Sequence, residues 1–98
     1  MKITKQQDGS TMVVALEGRL DMSSAPELDK ELETGLGQIK ELILDCSKME
    51  YITSSGLRVL LKARRNMAMG GELIVRNASE IVKEVFEVTG FTEFVTVE

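Results

Sequence analysis

The chain has no histidine and no tryptophan, a single cysteine and a single proline in 98 residues. Without histidine, neither a Ser-His-Asp triad nor a Cys-His pair can be built. The histidine-containing zinc sites are excluded as well, and Cys46 alone cannot replace them, so no metal is expected. One cysteine permits no intrachain disulfide, and the simplest expectation is a reducing, cytoplasmic setting. The first residues, Met1-Lys2-Ile3-Thr4-Lys5, do not continue into the apolar core of a signal peptide. No apolar run approaches the ~18 residues of a membrane span. Basic residues are outnumbered by acidic ones, 12 to 16, and a net charge of −4 argues against nucleic acid as the main ligand.

What is present has the composition of an ordinary globular domain. Hydrophobic residues make up 43%, enough at this length for one core without staples, so residues 1–98 read as one domain. Lys2 to Gln7 and Thr11 to Leu16 read as antiparallel strands joined at Asp8-Gly9-Ser10, a hairpin-type turn. Glu17 to Asp21 then leads into a loop. Ser24-Ala25-Pro26-Glu27 fits a capping box, with Ser24 as N-cap. Ala25, Leu28, Leu32 and Leu36 follow at helical spacing until Gly35 and Gly37 end the helix. Leu42-Ile43-Leu44 is an unbroken apolar strand, which predicts burial on both faces in the middle of a sheet. Ser47 to Ile52 reads as a connection.

The stretch Thr53-Ser54-Ser55-Gly56-Leu57 opens the second helix, expected over Gly56 to Met69. Its buried line is Leu57, Leu60, Leu61, Arg64 and Ala68, with Val59, Ala63 and Met67 alongside. Arg58, Lys62 and Arg65 form an exposed basic row. Gly70-Gly71 stops this helix. Glu72 to Arg76 is another strand. Asn77 is the expected cap of a third helix, whose buried stripe is Ile81, Val82, Val85 and Phe86. Gly90 is placed for a left-handed residue that folds Phe91 back on Phe86. Phe94 to Val97 is a last short strand or a tail. The order β-β-α-β-α-β-α(-β) is an α/β domain: a small mixed sheet with helices packed on it.

Two hydroxyls and a glycine at a helix start allow two readings. A helix N-terminus offers unpaired N–H groups and positive charge to a phosphate, while serine is also a preferred N-cap, with Ser55 the expected cap here. A serine nucleophile would lack a base: no histidine exists, and Lys62 titrates too high. No nucleophile elbow or phosphate-binding glycine loop is present. The residues point away from an enzyme, and no cofactor is implied.

Four motifs in order resemble the STAS domain family, and within it the bacterial anti-sigma factor antagonists. They are Gly18-Arg19-Leu20-Asp21, Thr53-Ser54-Ser55-Gly56-Leu57, Gly70-Gly71-Glu72 with its apolar strand, and Thr89-Gly90-Phe91; together they span nearly the whole chain. The resemblance implies a protein that binds an anti-sigma factor with serine kinase activity and so frees a sigma factor to regulate transcription. It implies phosphorylation of Ser54 by that partner, release, and reversal by a serine phosphatase, with the free protein a monomer. Thr53 stands where the family often has aspartate. With Thr53, Ser55 and Gly56 shaping the loop, position along the helix adds Arg58, Lys62 and Arg65 to a partner surface with Asp21 and Ser54; the equally open alternative is a merely solvated basic face. Other members of the family are non-phosphorylated accessory or scaffold subunits, for example of ATP-driven transporters, and that is the second reading.

Overall fold

Gly9 adopts φ +62° in the tight turn between β1 (Lys2–Asp8) and β2 (Thr11–Leu20), which pair antiparallel from Lys2–Glu17 to Asp8–Thr11. The computed structural model, which describes residues 1–98, continues with α1 (Ala25–Glu31), β3 (Glu41–Ile52), α2 (Ser54–Asn66), β4 (Glu72–Arg76), α3 (Glu80–Val88) and β5 (Thr96–Val97). The sheet order is β1-β2-β3-β4-β5, and every neighbour after the first pair is parallel. This is the mixed α/β sheet expected, with the fifth strand formed by Thr96–Val97 alone, since Phe94 ends the turn after α3.

One face of the sheet carries the core. Met12, Val14 and Leu16 of β2, Leu42 and Leu44 of β3, and Leu73 and Val75 of β4 point into one cluster with the buried sides of all three helices. Ile43 and Ile74 alternate to the other face, as strand geometry requires, and no helix covers them there. They are nevertheless only 7% and 5% exposed, because they stand in register with each other and with Val13. The three-residue apolar run is thus buried on both sides, one of them by its strand neighbours alone.

Several boundaries differ from the sequence expectation. Ser47 to Ile52 is strand rather than connection, and β2 likewise runs on to Leu20. The two stay paired through Glu17–Lys48, Gly18–Met49 and Leu20–Ile52, with register shifts that break the apolar–polar alternation and hide the strand from a pattern search. Gly18 sits at one shift with φ +104°, a conformation other residues resist.

Helix α1 ends at Glu31, well before Gly35 and Gly37, yet Leu32 and Leu36 still reach the core from the turns that follow. Helix α2 stops at Asn66, not Met69, because Ala68 N–H is drawn to the Ile39 carbonyl (3.1 Å). Its buried line is Gly56, Leu57, Leu60 and Ala63; Arg64 is only half-buried. Ser79, not Asn77, caps α3, accepting from Val82 N–H at 3.3 Å. Asn77 instead takes φ +59° and donates to Asp45 Oδ1. Ile81, expected in the core, faces outward. Gly90 is left-handed (φ +74°), and Phe91 lies 5.9 Å from Phe86, ring centre to ring centre, as its cap motif predicts.

Candidate functional site

Parallel pairing brings two separated motifs together. Beyond the last β3–β4 pair, Asp45–Arg76, strands β2 and β3 run on as a two-stranded ribbon to Leu20 and Ile52. The residues after each strand, Asp21 and Thr53, therefore emerge side by side at the carboxyl ends of parallel strands. In open α/β sheets that is where ligands and partners are met.

Thr53 fixes the start of α2. Its N–H donates to the Leu20 carbonyl at 3.0 Å, and its hydroxyl reaches the same oxygen at 3.4 Å. Its backbone is extended (φ −114°, ψ 176°), and its carbonyl accepts from Leu57 N–H, so Thr53 occupies the N-cap position. Ser55 was expected there; the structure places it at the second helical residue, with Ser54 at the first. The correction has a physical cause: the Leu20 carbonyl claims Thr53, which sets the helix start two residues earlier. No side chain caps the helix.

Gly56 packs the first turn of α2 onto the ribbon. A Cβ built on it would lie 2.5 Å from Leu20 Cγ, 2.8 Å from Leu20 Cδ2 and 3.1 Å from Ile52 Cγ1. Leu20 and Gly56 thus form one contact between the two sequence motifs.

The Asp21 loop is ordered by its own carboxylate. Asp21 Oδ1 accepts from Ser23 N–H (3.0 Å), the Ser23 hydroxyl (2.8 Å) and Ser24 N–H (3.2 Å). Ser24 has no capping bond; its hydroxyl donates to the Arg19 carbonyl at 2.7 Å and accepts from Asp21 N–H at 3.0 Å. Ser24 thus holds the expected N-cap position, but the capping box is replaced by an Asx-type turn that begins three residues earlier, at Asp21. Hydrogen bonds from Ser23, then Ser24, hold the Asp21 carboxyl below the ordinary aspartate range. A depressed folded value contributes stability that is present above the unfolded value and lost as pH falls through the folded one. We expect carboxyl chemical shifts in an acid titration to place Asp21 below the ordinary aspartate value, and Ser23→Ala to raise it toward that value.

The basic row divides. Lys62 bonds both carboxylate oxygens of Asp29 on α1, at 3.1 and 3.3 Å, and so bridges the two helices. Arg58 and Arg65 are exposed and make no ion pair. Arg58 lies one turn beyond Ser54 on the same side of α2. Arg19 stacks over the Tyr51 ring, 5.5 Å from its centre. Between the Asp21 loop, α1 and α2 lies a shallow groove of about 280 Å³, lined by Met22, Ala25, Pro26, Asp29, Ser55 and Val59. Met22 is 79% exposed. Neither the groove nor Met22 carries a sequence signal, because the lining comes from two helices and a loop that no local pattern relates. Cys46 is buried, and that burial, then Asp45, pushes its thiol up to about 12, so it stays protonated at neutral pH. No group of three or more acidic, Cys or His residues is placed to hold a metal, and no helix is long and apolar enough to cross a membrane.

This geometry sets an exposed serine beside an aspartate-ordered loop at the end of a parallel ribbon. Residues 2–98 match the family model described as STAS domain. The chain belongs to the STAS domain family. Among similar proteins is BtrV of Bordetella bronchiseptica, designated an anti-sigma factor antagonist, 33% identical over 93 residues that cover 93% of this chain and 80% of BtrV. The anti-sigma-B factor antagonist of Bacillus subtilis is 26% identical over 98 residues, covering 99% of this STAS domain and 90% of that protein. An anti-sigma factor antagonist from Mycobacterium paratuberculosis has the same fold, with a TM-score of 0.86 at 20% identity over 98% of this chain and 83% of that one. SpoIIAA in its unphosphorylated form superposes with a TM-score of 0.74 at 23% identity over 88% and 82% of the two chains. By sequence, the STAS domain described here is thus similar to anti-sigma factor antagonists, and it shares the fold of the solved ones.

Neither serine hydroxyl makes a hydrogen bond that holds the helix. We expect Ser54→Ala and Ser55→Ala each to change unfolding free energy by less than about 0.5 kcal/mol. Urea denaturation of both variants checks this, and a loss of about 1 kcal/mol in Ser55→Ala alone would restore it as the cap.

Proposed function

We propose that this chain is an anti-sigma factor antagonist that binds an anti-sigma factor with serine kinase activity and is switched off by phosphorylation of Ser54. It acts by partner switching and performs no catalysis itself; a serine phosphatase would reset it. The observation that carries the reading is Ser54: an exposed hydroxyl with no internal partner, at the first residue of α2, where helix N–H groups favour a phosphate. No acidic residue lies in that first turn to repel one. The fold is also compatible with the modification, since SpoIIAA has been solved in a phosphorylated form with a TM-score of 0.76 to this chain.

The partner surface in this reading comprises Asp21, Ser54, Arg58 and Arg65, with Met22 and the groove beside Ser55 as its apolar part. Lys62 contributes by holding α1 to α2. Charge reversal at Arg58 and Arg65 is expected to slow association with the kinase partner, while Lys62→Glu would also disturb the Asp29 bridge. The decisive experiment is mass spectrometry of the protein isolated from its host. One phosphate on Ser54, absent in Ser54→Ala, is the expected result. A phosphate on Ser55, or none under any growth condition, overturns the proposal.

A further inference from the structure

Helix α3 carries more apolar surface than the core uses. Val82 and Phe86 fill the core, but Ile81, Val85 and Val88 form a second row at the i, i+4, i+7 spacing of one helix face. Ile81 is 58% exposed and Val88 75%, while Val85 is half-buried, with one side packed against the core. Glu80, Glu84 and Glu87 lie one residue back at each step, so an acidic row runs parallel to the apolar one. All three glutamates are exposed, and none makes a salt bridge. A contiguous apolar strip with a charged rim marks an interaction site rather than scattered surface residues.

We propose that the outer face of α3 docks an amphipathic helix of a partner protein, its apolar seam against Ile81, Val85 and Val88 and its lysines or arginines against Glu80, Glu84 and Glu87. The straight row along the helix axis fits helix-against-helix recognition, which reads anchors at this spacing. Charge selects among occupants. An anionic membrane surface would be repelled by the acidic row. A second copy packed by two-fold symmetry would bring no cation to the glutamate row from this face, and an antiparallel pair would set glutamate row near glutamate row. Head-to-tail contact with α2 of another copy would offer Arg58 and Arg65 but no exposed apolar seam, since Val59 and Leu61 there are half-buried.

The test uses the full chain and two synthetic helical peptides with the same leucine seam, one flanked by lysine and arginine, the other by glutamate. Backbone amide NMR is expected to show shifts confined to α3 and its flanks with the basic peptide only. Ile81→Ser with Val88→Ser should weaken binding by about tenfold or more, leaving the melting temperature nearly unchanged because both positions are exposed. Glu84→Lys with Glu87→Lys should weaken it and flatten its salt dependence. Shifts centred on α2 or on the helix-free sheet face would overturn the proposal. So would equal binding of the acidic peptide. A wild-type dimer that the serine variants dissolve would overturn it as well, by showing a second copy on this face.

Discussion

Replacing Gly56 by valine is expected to cost about 2–3 kcal/mol of stability, roughly the upper range for overpacking a filled site. The reason lies in two motifs meeting. The new Cβ would stand 2.5 Å from Leu20 Cγ and 2.8 Å from Leu20 Cδ2. Leu20 is fully buried, and Cγ is its branch point, so no simple rotation of a flexible tip removes the overlap. The start of α2 must lift off the ribbon, or β2 must shift. Alanine at the same place gains up to about 1 kcal/mol in helix propensity over glycine, which offsets part of the clash, so Gly56→Ala should lose less. For a domain of this size each kcal/mol is about 4–8 °C in melting temperature, so the valine variant should melt at least about 8 °C lower. Urea denaturation gives the energies directly. Leu20→Ala alone leaves a cavity and is destabilising by about 2–5 kcal/mol. In the double variant Gly56→Val with Leu20→Ala the losses should fall short of their sum, since each residue occupies space the other vacates. Full additivity, or a valine variant as stable as the parent, would show that the Leu20–Gly56 approach does not fix the helix.

The same contact explains how far the sequence could be followed. The apolar run Leu42-Ile43-Leu44, the helical spacing of Leu28 and Leu32, and the Gly90–Phe91 return are local patterns, and each appears where periodicity places it. Of the helix starts, that of α1 does, with Ser24 at its N-cap position; those of α2 and α3 do not. Each of these two lies in a stretch with several competent caps, and the choice falls to partners distant in sequence. Leu20 O claims Thr53, and Asp45 takes Asn77 and leaves Ser79 to cap α3. Likewise the ribbon from Glu17 to Leu20 against Lys48 to Ile52 is disguised by its register shifts. The motif residues of the site were legible individually; their adjacency follows from the parallel pairing of β2 with β3, which no local pattern records. Lys62 looked like a free cation because its partner, Asp29, is on another helix.

Ser54→Asp is expected to keep the melting temperature of the parent and to bind the kinase partner at least about a hundredfold more weakly, a difference of about 2.7 kcal/mol. Two effects of charge at this position must be compared. Within the domain, a negative group at the first residue of α2 faces the positive end of the helix, which favours it by about 0.3–1 kcal/mol. The first turn contains no acidic residue, and Arg58 stands one turn away without an ion pair. The domain therefore tolerates the charge. At an interface the balance reverses. A partner surface complementary to a neutral hydroxyl must desolvate the new charge without a counter-ion, and an unpaired charge in such a contact costs several kcal/mol. A phosphoserine adds about −1.5 to −2 charges, so the true modification should act more strongly than aspartate in both respects. Ser54→Ala, by contrast, should bind as the parent does and stay bound in the presence of ATP, because no phosphate can be placed. Thermal melts and calorimetric titration of the two variants separate the terms. An aspartate variant that melts well below the parent would mean that the switch works by unfolding α2. One that binds as tightly as the parent would leave phosphorylation without an electrostatic effect on the interface, and the accessory-subunit reading of this STAS domain would then take its place.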